Sequence, residues 1–325
     1  MLKARLLSTG EFNAWDDFVR VNTTDNLFNR VDWIRYAPGN SAGKPAIYIV
    51  AGNDQLLCGV AGHIFTKIGV KTFASSIFSP YNGILMSDEV ASHNQAEEAL
   101  NVLLERLTDD CDRVSIKQPP TTETDLPAPG GFKTDKRLTL INDISRGENI
   151  FPAFKQSVRN KIKKAEKHGF VVEESFHPRE LYNLHVSALK NAGVPMLIDE
   201  KEYLASLERF HHLGWVKIFN AVKDSEICRS WAVLCYGDTC YSWITGIDSR
   251  YNKYGVGNKL VGEAMLKLSA DGFKRLDFGG ANIPNVKKFK ESFGGELAEY
   301  QHFQSTTSLK GKFYDRLRKL IRRDS

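Results

Sequence analysis

Apolar positions recur along the chain in two rhythms, one of helical period and one of strict alternation, and together they set out a series of helices and strands. Phe12, Trp15 and Val19 mark one amphipathic helix, and Leu27, Val31 and Ile34 mark a second. Strands are expected over residues 46–50 and 56–65, with a further apolar run over 70–77. From a polar start at His93, Leu100, Leu103, Leu104 and Leu107 share a helix face, and residues 113–117 read as the next strand. The segment QPPTTETDLPAPGGF, residues 118–132, then interrupts regular structure, because its prolines and glycines do not fit inside helices or strands. It is expected to be a loop at a domain edge.

A strand at 138–141 opens a second series that repeats the order of the first. Phe151, Phe154, Val158, Ile162 and Ala165 form one helix face, ended by Gly169. Helices follow at 179–191 and 199–212. Strands at 215–222, 227–236 and 239–248 are joined by short polar connections, which implies antiparallel hairpins. A further helix carries Leu260, Val261, Ala264, Met265 and Leu268 on one side. The fold class expected is α+β, two layered domains of similar plan, residues 1–145 and 146–325, with the final residues packing back on the first.

The last informative run is LDFGGANIPNVKKFKESFGGELAEY, residues 276–300. Leu276, Phe278 and the preceding Phe273 have strand character, and Gly279 and Gly280 permit a sharp turn beside Asp277. Pro284 pre-sets a first helical turn, Val286, Phe289 and Phe293 recur as a buried face, and Gly294 and Gly295 end it. At about 100° per residue, Lys290 projects roughly 40° from Val286 and borders the buried face, whereas Lys288 points away. The competing structural reading lays the stem of Lys290 along the core and carries its ammonium to water.

Composition narrows the picture only modestly. The 325 residues are 42% hydrophobic and 26% charged, as in ordinary globular proteins, with a formal charge of +5 and an isoelectric point near 8.8. That mild basicity suits an anionic ligand such as a nucleotide, a CoA pyrophosphate or an RNA backbone. The opening MLKARLLSTGEFNAW lacks the apolar run of a signal peptide and no segment reaches the length of a membrane span, so a cytosolic location is expected. The five cysteines, Cys58, Cys111, Cys228, Cys235 and Cys240, form no CxxC pair and read as small buried residues. His211 and His212 have no second cluster at ligand spacing, so no metal site is expected.

The loop NKYGVGNKL places Gly255 and Gly257 where a strand ends and a helix begins. There, glycine amides and the helix pole could receive a pyrophosphate, or simply make a tight turn. From Asn252 the pattern resembles the Q/R-x-x-G-x-G/A loop of the GNAT superfamily of acyl-CoA-dependent acyltransferases, with Asn where Gln or Arg is usual. DFGG followed by P-x-V-x-x-FK-x-x-FGGEL resembles the terminal signature of the Fem peptidoglycan bridge-forming aminoacyltransferases and of wider FemAB-like GNAT proteins. SVRNKIKKAEKHGFVV is similar to their internal signature, carried here by Arg159, Ile162, Ala165, Glu166, Lys167 and Gly169. SPYNGIL, residues 79–85, is similar to a loop of bacterial members.

The resemblance implies tandem GNAT-like domains, each a mixed, largely antiparallel sheet flanked by helices, the first serving the acceptor and the second the acyl donor. It implies acyl or aminoacyl transfer to an amino-bearing cell-envelope precursor or related small molecule. The donor co-substrate is acyl-CoA or aminoacyl-tRNA, with no tightly bound cofactor and no DNA. Phe289 and Lys290 are then expected at the donor, Lys290 stabilising the oxyanion or positioning the ribose-phosphate end. Asn252, Gly255, Gly257 and Asn258 are expected to bind the donor carrier, and Arg159 the acceptor phosphates. Asp277 is a candidate base or the anchor of the glycine turn, and Tyr254 a candidate acid or an interfacial tyrosine. The basic tail KFYDRLRKLIRRDS suits tRNA, a solvated helix or an anionic membrane surface alike. The alternative is a catalytically inactive binding protein of the same fold.

Overall fold

The structure is a computed structural model that describes residues 2–23, 26–53, 55–88, 95–120 and 130–321. The expected helix start at His93 and most of the loop at 118–132 lie outside these residues. In chain order the first elements are β1 (Lys3–Leu6), α1 (Phe12–Asn22), α2 (Val31–Tyr36), β2 (Lys44–Gly52), β3 (Gln55–Lys67), β4 (Val70–Ala74) and β5 (Leu85–Met86). Next come α3 (Gln95–Asp110), β6 (Arg113–Lys117), β7 (Lys133–Asp143), α4 (Ile150–Ala153), α5 (Gln156–Lys167) and β8 (Val171–Glu174). The series continues with α6 (Pro178–Asn191), α7 (Glu200–His212), β9 (Val216–Lys223), β10 (Glu226–Tyr236), β11 (Thr239–Ile247) and α8 (Val256–Ala270). It closes with β12 (Arg275–Asp277), α9 (Pro284–Glu291), β13 (Glu296–Thr306) and α10 (Leu309–Ile321).

These elements form two compact units, residues 1–137 with 299–325, and residues 138–298. In unit 1, β1, β2, β3 and β4 pair antiparallel in sequence order, β6 joins β4 in parallel, and β13 joins β6 antiparallel. Strand alternation explains its core. Tyr48 and Val50 of β2 face one way, into a cluster with Leu100, Leu103 and Leu107 of α3. Ile47 and Ile49 face the other way, against Phe12, Trp15 and Val19 of α1. A strand covered by helices on both faces has no polar side to show, which is why residues 46–50 read as a continuous apolar run.

Unit 2 repeats this strand plan. β8, β9, β10 and β11 pair antiparallel, β12 joins β11 in parallel, and the end of β7 pairs antiparallel with β12. Leu260, Ala264 and Leu268 of α8 meet Val158 and Ile162 of α5 and Phe219 and Trp231 of the sheet. The helical period of the apolar residues in α5 and α8 is what lets each bury one face.

Two expected helices are interrupted. Leu27 begins a short 3-10 turn, Leu27–Asn29, and Arg30 is extended before α2 starts. Asp16 fixes that break: its Oδ1 accepts from Arg30 Nε at 2.8 Å and from the amide of Val31 at 3.0 Å, capping α2 from a neighbouring helix. The face from Phe151 to Ala165 is likewise divided, because Phe154 is extended and Lys155 is the N-cap of α5. Two strands, β1 and β13, carried no clear alternation in the sequence. Most of β1 and the first half of β13 are not buried.

Candidate functional site

The parallel pairing of β11 with β12 runs only from Thr239 opposite Arg275 to Tyr241 opposite Asp277. Beyond that point β11 continues to Ile247 while the other chain turns away at Gly279, whose φ of +68° falls in the left-handed region. Glycine meets this backbone requirement without the strain a Cβ would bring. Two strands that pair and then part leave a cleft between them. In unit 2 this opening is a cavity of about 220 Å³. Its sheet wall is Arg229 and Trp231 of β10 with Ser242, Thr245 and Ile247 of β11. Leu260 and Val261 of α8, Phe278, and Val286, Phe289 and Lys290 of α9 complete it.

Asp277 closes the strand end. It is 3% exposed, and its Oδ1 accepts from the Gly279 amide at 2.7 Å and from the Thr139 hydroxyl. The carboxylate thus fixes the glycine turn from the inside. Lys290 fixes it from the other side: its Nζ donates to the carbonyl oxygens of Gly279 at 2.7 Å and Gly280 at 2.8 Å. An ammonium carries three N–H donors, so one remains without a partner among the described residues. Burial lowers the pKa of Lys290 to about 8, against the opposing pull of the Asp277 charge.

Lys290 therefore neither extends into water nor lies buried in apolar surroundings. Phe289 is half-buried and packs edge-on against Phe293, which is fully buried, with ring centroids 5.2 Å apart. Val286, expected on the buried face, is 38% exposed because that end of the stripe borders the open cavity.

The glycine loop is engaged by neighbours within unit 2. Gly255 has φ +82° and is the N-cap of α8, where no side chain caps the helix. A Cβ there would meet the Lys161 carbonyl oxygen at 2.6 Å, so α5 passes directly over it. At Gly257 a Cβ would lie 2.5 Å from a terminal guanidinium nitrogen of Arg229. Asn258 is buried with its amide on the Gly255 carbonyl at 3.0 Å. Asn252 is exposed, and its carbonyl accepts from Gly255 at 3.3 Å. Tyr254 packs at a tilt against His168 and Phe170, centroids 4.7 and 5.8 Å away, and is not among the cavity residues.

Arg159 also lies apart from the cavity. Its guanidinium donates to the Pro152 carbonyl at 3.0 Å, to the Phe154 carbonyl and to Gln156 Oε1 at 2.7 Å. These carbonyls are left over where α4 stops, and the arginine satisfies them.

One residue escaped the sequence reading. Arg229 shares its strand face with Trp231 and Val233, both core residues, and a bulge between Ile227 and Arg229 on the β9 side sets its position. Its Nε is buried without a hydrogen-bond partner among the described residues. Burial alone depresses its pKa to about 10. The available signal was parity: in EICRSWAVLCY the Arg falls in step with Trp231, Val233 and Cys235 on an otherwise apolar face. Among the described residues no group of three or more His, Cys, Asp or Glu is gathered as a metal would require. No helix among them is long and apolar enough to cross a membrane.

A strand pair that parts beside a helix N-terminus defines a recognisable class, and residues 152–291 match the acetyltransferase (GNAT) domain family. No curated protein sequence matches the chain. Among solved structures, FemX is 14% identical with a TM-score of 0.66, over 93% of this chain and 97% of that one. A tandem GNAT protein from the clavulanic acid biosynthesis pathway is 11% identical with a TM-score of 0.59, over 94% and 98%. L-PGS from Bacillus licheniformis is 12% identical with a TM-score of 0.59, over 93% and 94%. Residues 152–291 thus match a GNAT domain, and over nearly its whole length the chain shares the fold of FemX and of the tandem GNAT protein.

Proposed function

We propose that the chain transfers an acyl or aminoacyl group to an amine, with the acyl carbonyl seated in the unit 2 cavity beside Lys290. The observation that carries this reading is Lys290 itself. It is a cation pinned by two backbone carbonyls at the rim of an apolar cavity, with one N–H donor still available. When an amine attacks the carbonyl, negative charge gathers on the oxygen, and a fixed cation beside it stabilises that charge without having to reorganise. The acceptor class proposed is an amino-bearing cell-envelope precursor or related small molecule, and the donor an acyl-CoA or an aminoacyl-tRNA.

The cavity lining contains no carboxylate, histidine or tyrosine. Proton transfer from the attacking amine would then pass through the substrates, the departing thiolate or alkoxide taking the proton directly or by way of water. The same absence favours a second reading, a binding protein that keeps the fold without turnover. A single-turnover assay decides between them, using purified chain with thioester or aminoacyl-tRNA donors and amine acceptors. Lys290→Met in a folded protein is expected to lower the rate by about 10²–10³, the scale of losing one oxyanion-hole contact. Near-normal rates in that variant would remove the role given to Lys290, and no turnover with either donor would favour the binding protein.

A further inference from the structure

Arg229 is an unusual occupant of its position. A guanidinium on an apolar sheet face normally has an acidic partner, yet the half-buried Arg229 side chain, its Nε enclosed, makes no hydrogen bond or ion pair among the described residues. It also rests against Gly257, in the first turn of α8, where the helix pole is itself positive and carries no capping side chain. Two positive features pressed together in a low-dielectric setting repel one another, and a bound anion relieves both. Absence of a Cβ at position 257 is what allows this approach.

The cavity onto which Arg229 faces also holds Lys290, and the rest of its lining is apolar or aromatic apart from two hydroxyls. Ser242 accepts from Trp231 Nε1 at 3.0 Å and keeps its own O–H to donate, and Thr245 adds a second hydroxyl to the lining. At 220 Å³ the space corresponds to about seven water molecules, enough for a short acyl chain. A planar guanidinium matches the two oxygens of a carboxylate. The α-ammonium of an aminoacyl group would instead meet two like charges.

We infer that the unit 2 cavity selects an acyl group that itself ends in a carboxylate, the half-thioester or half-ester of a short dicarboxylic acid, with Arg229 as the counter-ion. This rests on the acyl-transfer reading of the same cavity. In the reaction the acceptor nitrogen forms a bond to the acyl carbon, and the C–S or C–O bond to the carrier breaks. The amine proton ends on the departing thiolate or alkoxide, and the product amide keeps the free carboxylate at Arg229.

Binding can be measured without turnover, which separates this inference from the one on which it rests. Succinyl- and butyryl-N-acetylcysteamine have acyl chains of the same length that differ at the end Arg229 would hold. Isothermal titration is expected to show the succinyl thioester binding at least about tenfold more tightly, a preference lost in Arg229→Met. Arg229→Met is also expected to raise the Tm, since it removes an unpaired, half-buried charge, so misfolding would be visible in the same samples. Equal binding of the two thioesters to the unmodified chain would overturn the inference, as would an undiminished preference in folded Arg229→Met. Arg229-dependent binding of inorganic pyrophosphate without any succinyl preference would overturn it too, by assigning the anion to the carrier. Failure to form amide from a tightly bound succinyl thioester with any amine would count against the acyl-transfer reading alone.

Discussion

Asp277 and Lys290 hold the two sides of one glycine: the Gly279 amide donates to Asp277 Oδ1 at 2.7 Å, and the Gly279 carbonyl accepts from Lys290 Nζ at 2.7 Å. A carboxylate and an ammonium thus hold the two peptide groups on either side of Gly279, where the strand leaves the sheet. The geometry of the cavity rim depends on both.

The pH profile of transfer should carry the signature of Lys290. With its pKa near 8, the side chain is cationic below that pH and neutral above it. If the cation stabilises the oxyanion, kcat falls as pH rises through about 8, even as more acceptor amine becomes neutral. A rate that climbs steadily from pH 7 to 9.5, measured at saturating acceptor, would instead assign Lys290 to proton abstraction.

Replacement of Gly279 by Ala tests the hinge. Nothing crowds the position, the nearest atom to an added Cβ being the Ser242 carbonyl oxygen at 3.8 Å, so the cost comes from the backbone angle alone. We expect a loss of about 1–2 kcal/mol in urea unfolding and a fall in kcat that exceeds any change in acceptor KM. Unchanged stability would show that the left-handed turn is not needed.

Arg159 should behave as a structural staple between α4 and α5. Arg159→Met leaves the carbonyls of Pro152 and Phe154 without this donor and is expected to cost about 1–3 kcal/mol. Acceptor KM should change little. A raised KM for a phosphorylated acceptor, with Tm unaltered, would give the arginine back the phosphate contact implied by the Fem-like motif.

Acid sensitivity of unit 1 should trace in part to His63. This histidine is buried, with Nε2 2.7 Å from the Ile34 carbonyl and Nδ1 lacking a partner among the described residues, and burial lowers its pKa to about 4. The folded state binds the proton less readily than the unfolded chain, so stability from this group is fully present above pH about 6.5. It is lost progressively as pH falls toward 4, by up to on the order of 3 kcal/mol. His63→Gln should flatten the stability profile across that window; a slope identical to that of the unmodified chain would exclude the assignment.

Local periodicity revealed most of the elements, because both units are sheets covered by amphipathic helices whose apolar spacing is regular. The breaks at Arg30 and Phe154 were hidden, since each depends on a side chain elsewhere, Asp16 and Arg159, receiving the freed backbone groups. Lys290 was legible from its angle on α9, although its carbonyl partners in the glycine turn were not. Arg229 was present as a parity violation in β10, but only the approach to Gly257 shows that its charge lies against a helix pole. A linear pattern shows which face a residue shares, and not what is missing from its surroundings.

The position of β13 has a consequence for biosynthesis. Its residues from Glu299 onward complete unit 1, yet they are translated only after the whole of unit 2. During elongation at about 5–20 residues per second, the unpaired side of β6 would stand open for on the order of ten seconds or more. Unit 2 is encoded without interruption, whereas unit 1 needs both ends of the sequence, so a released fragment of residues 1–298 should protect unit 2 from proteolysis while leaving unit 1 exposed.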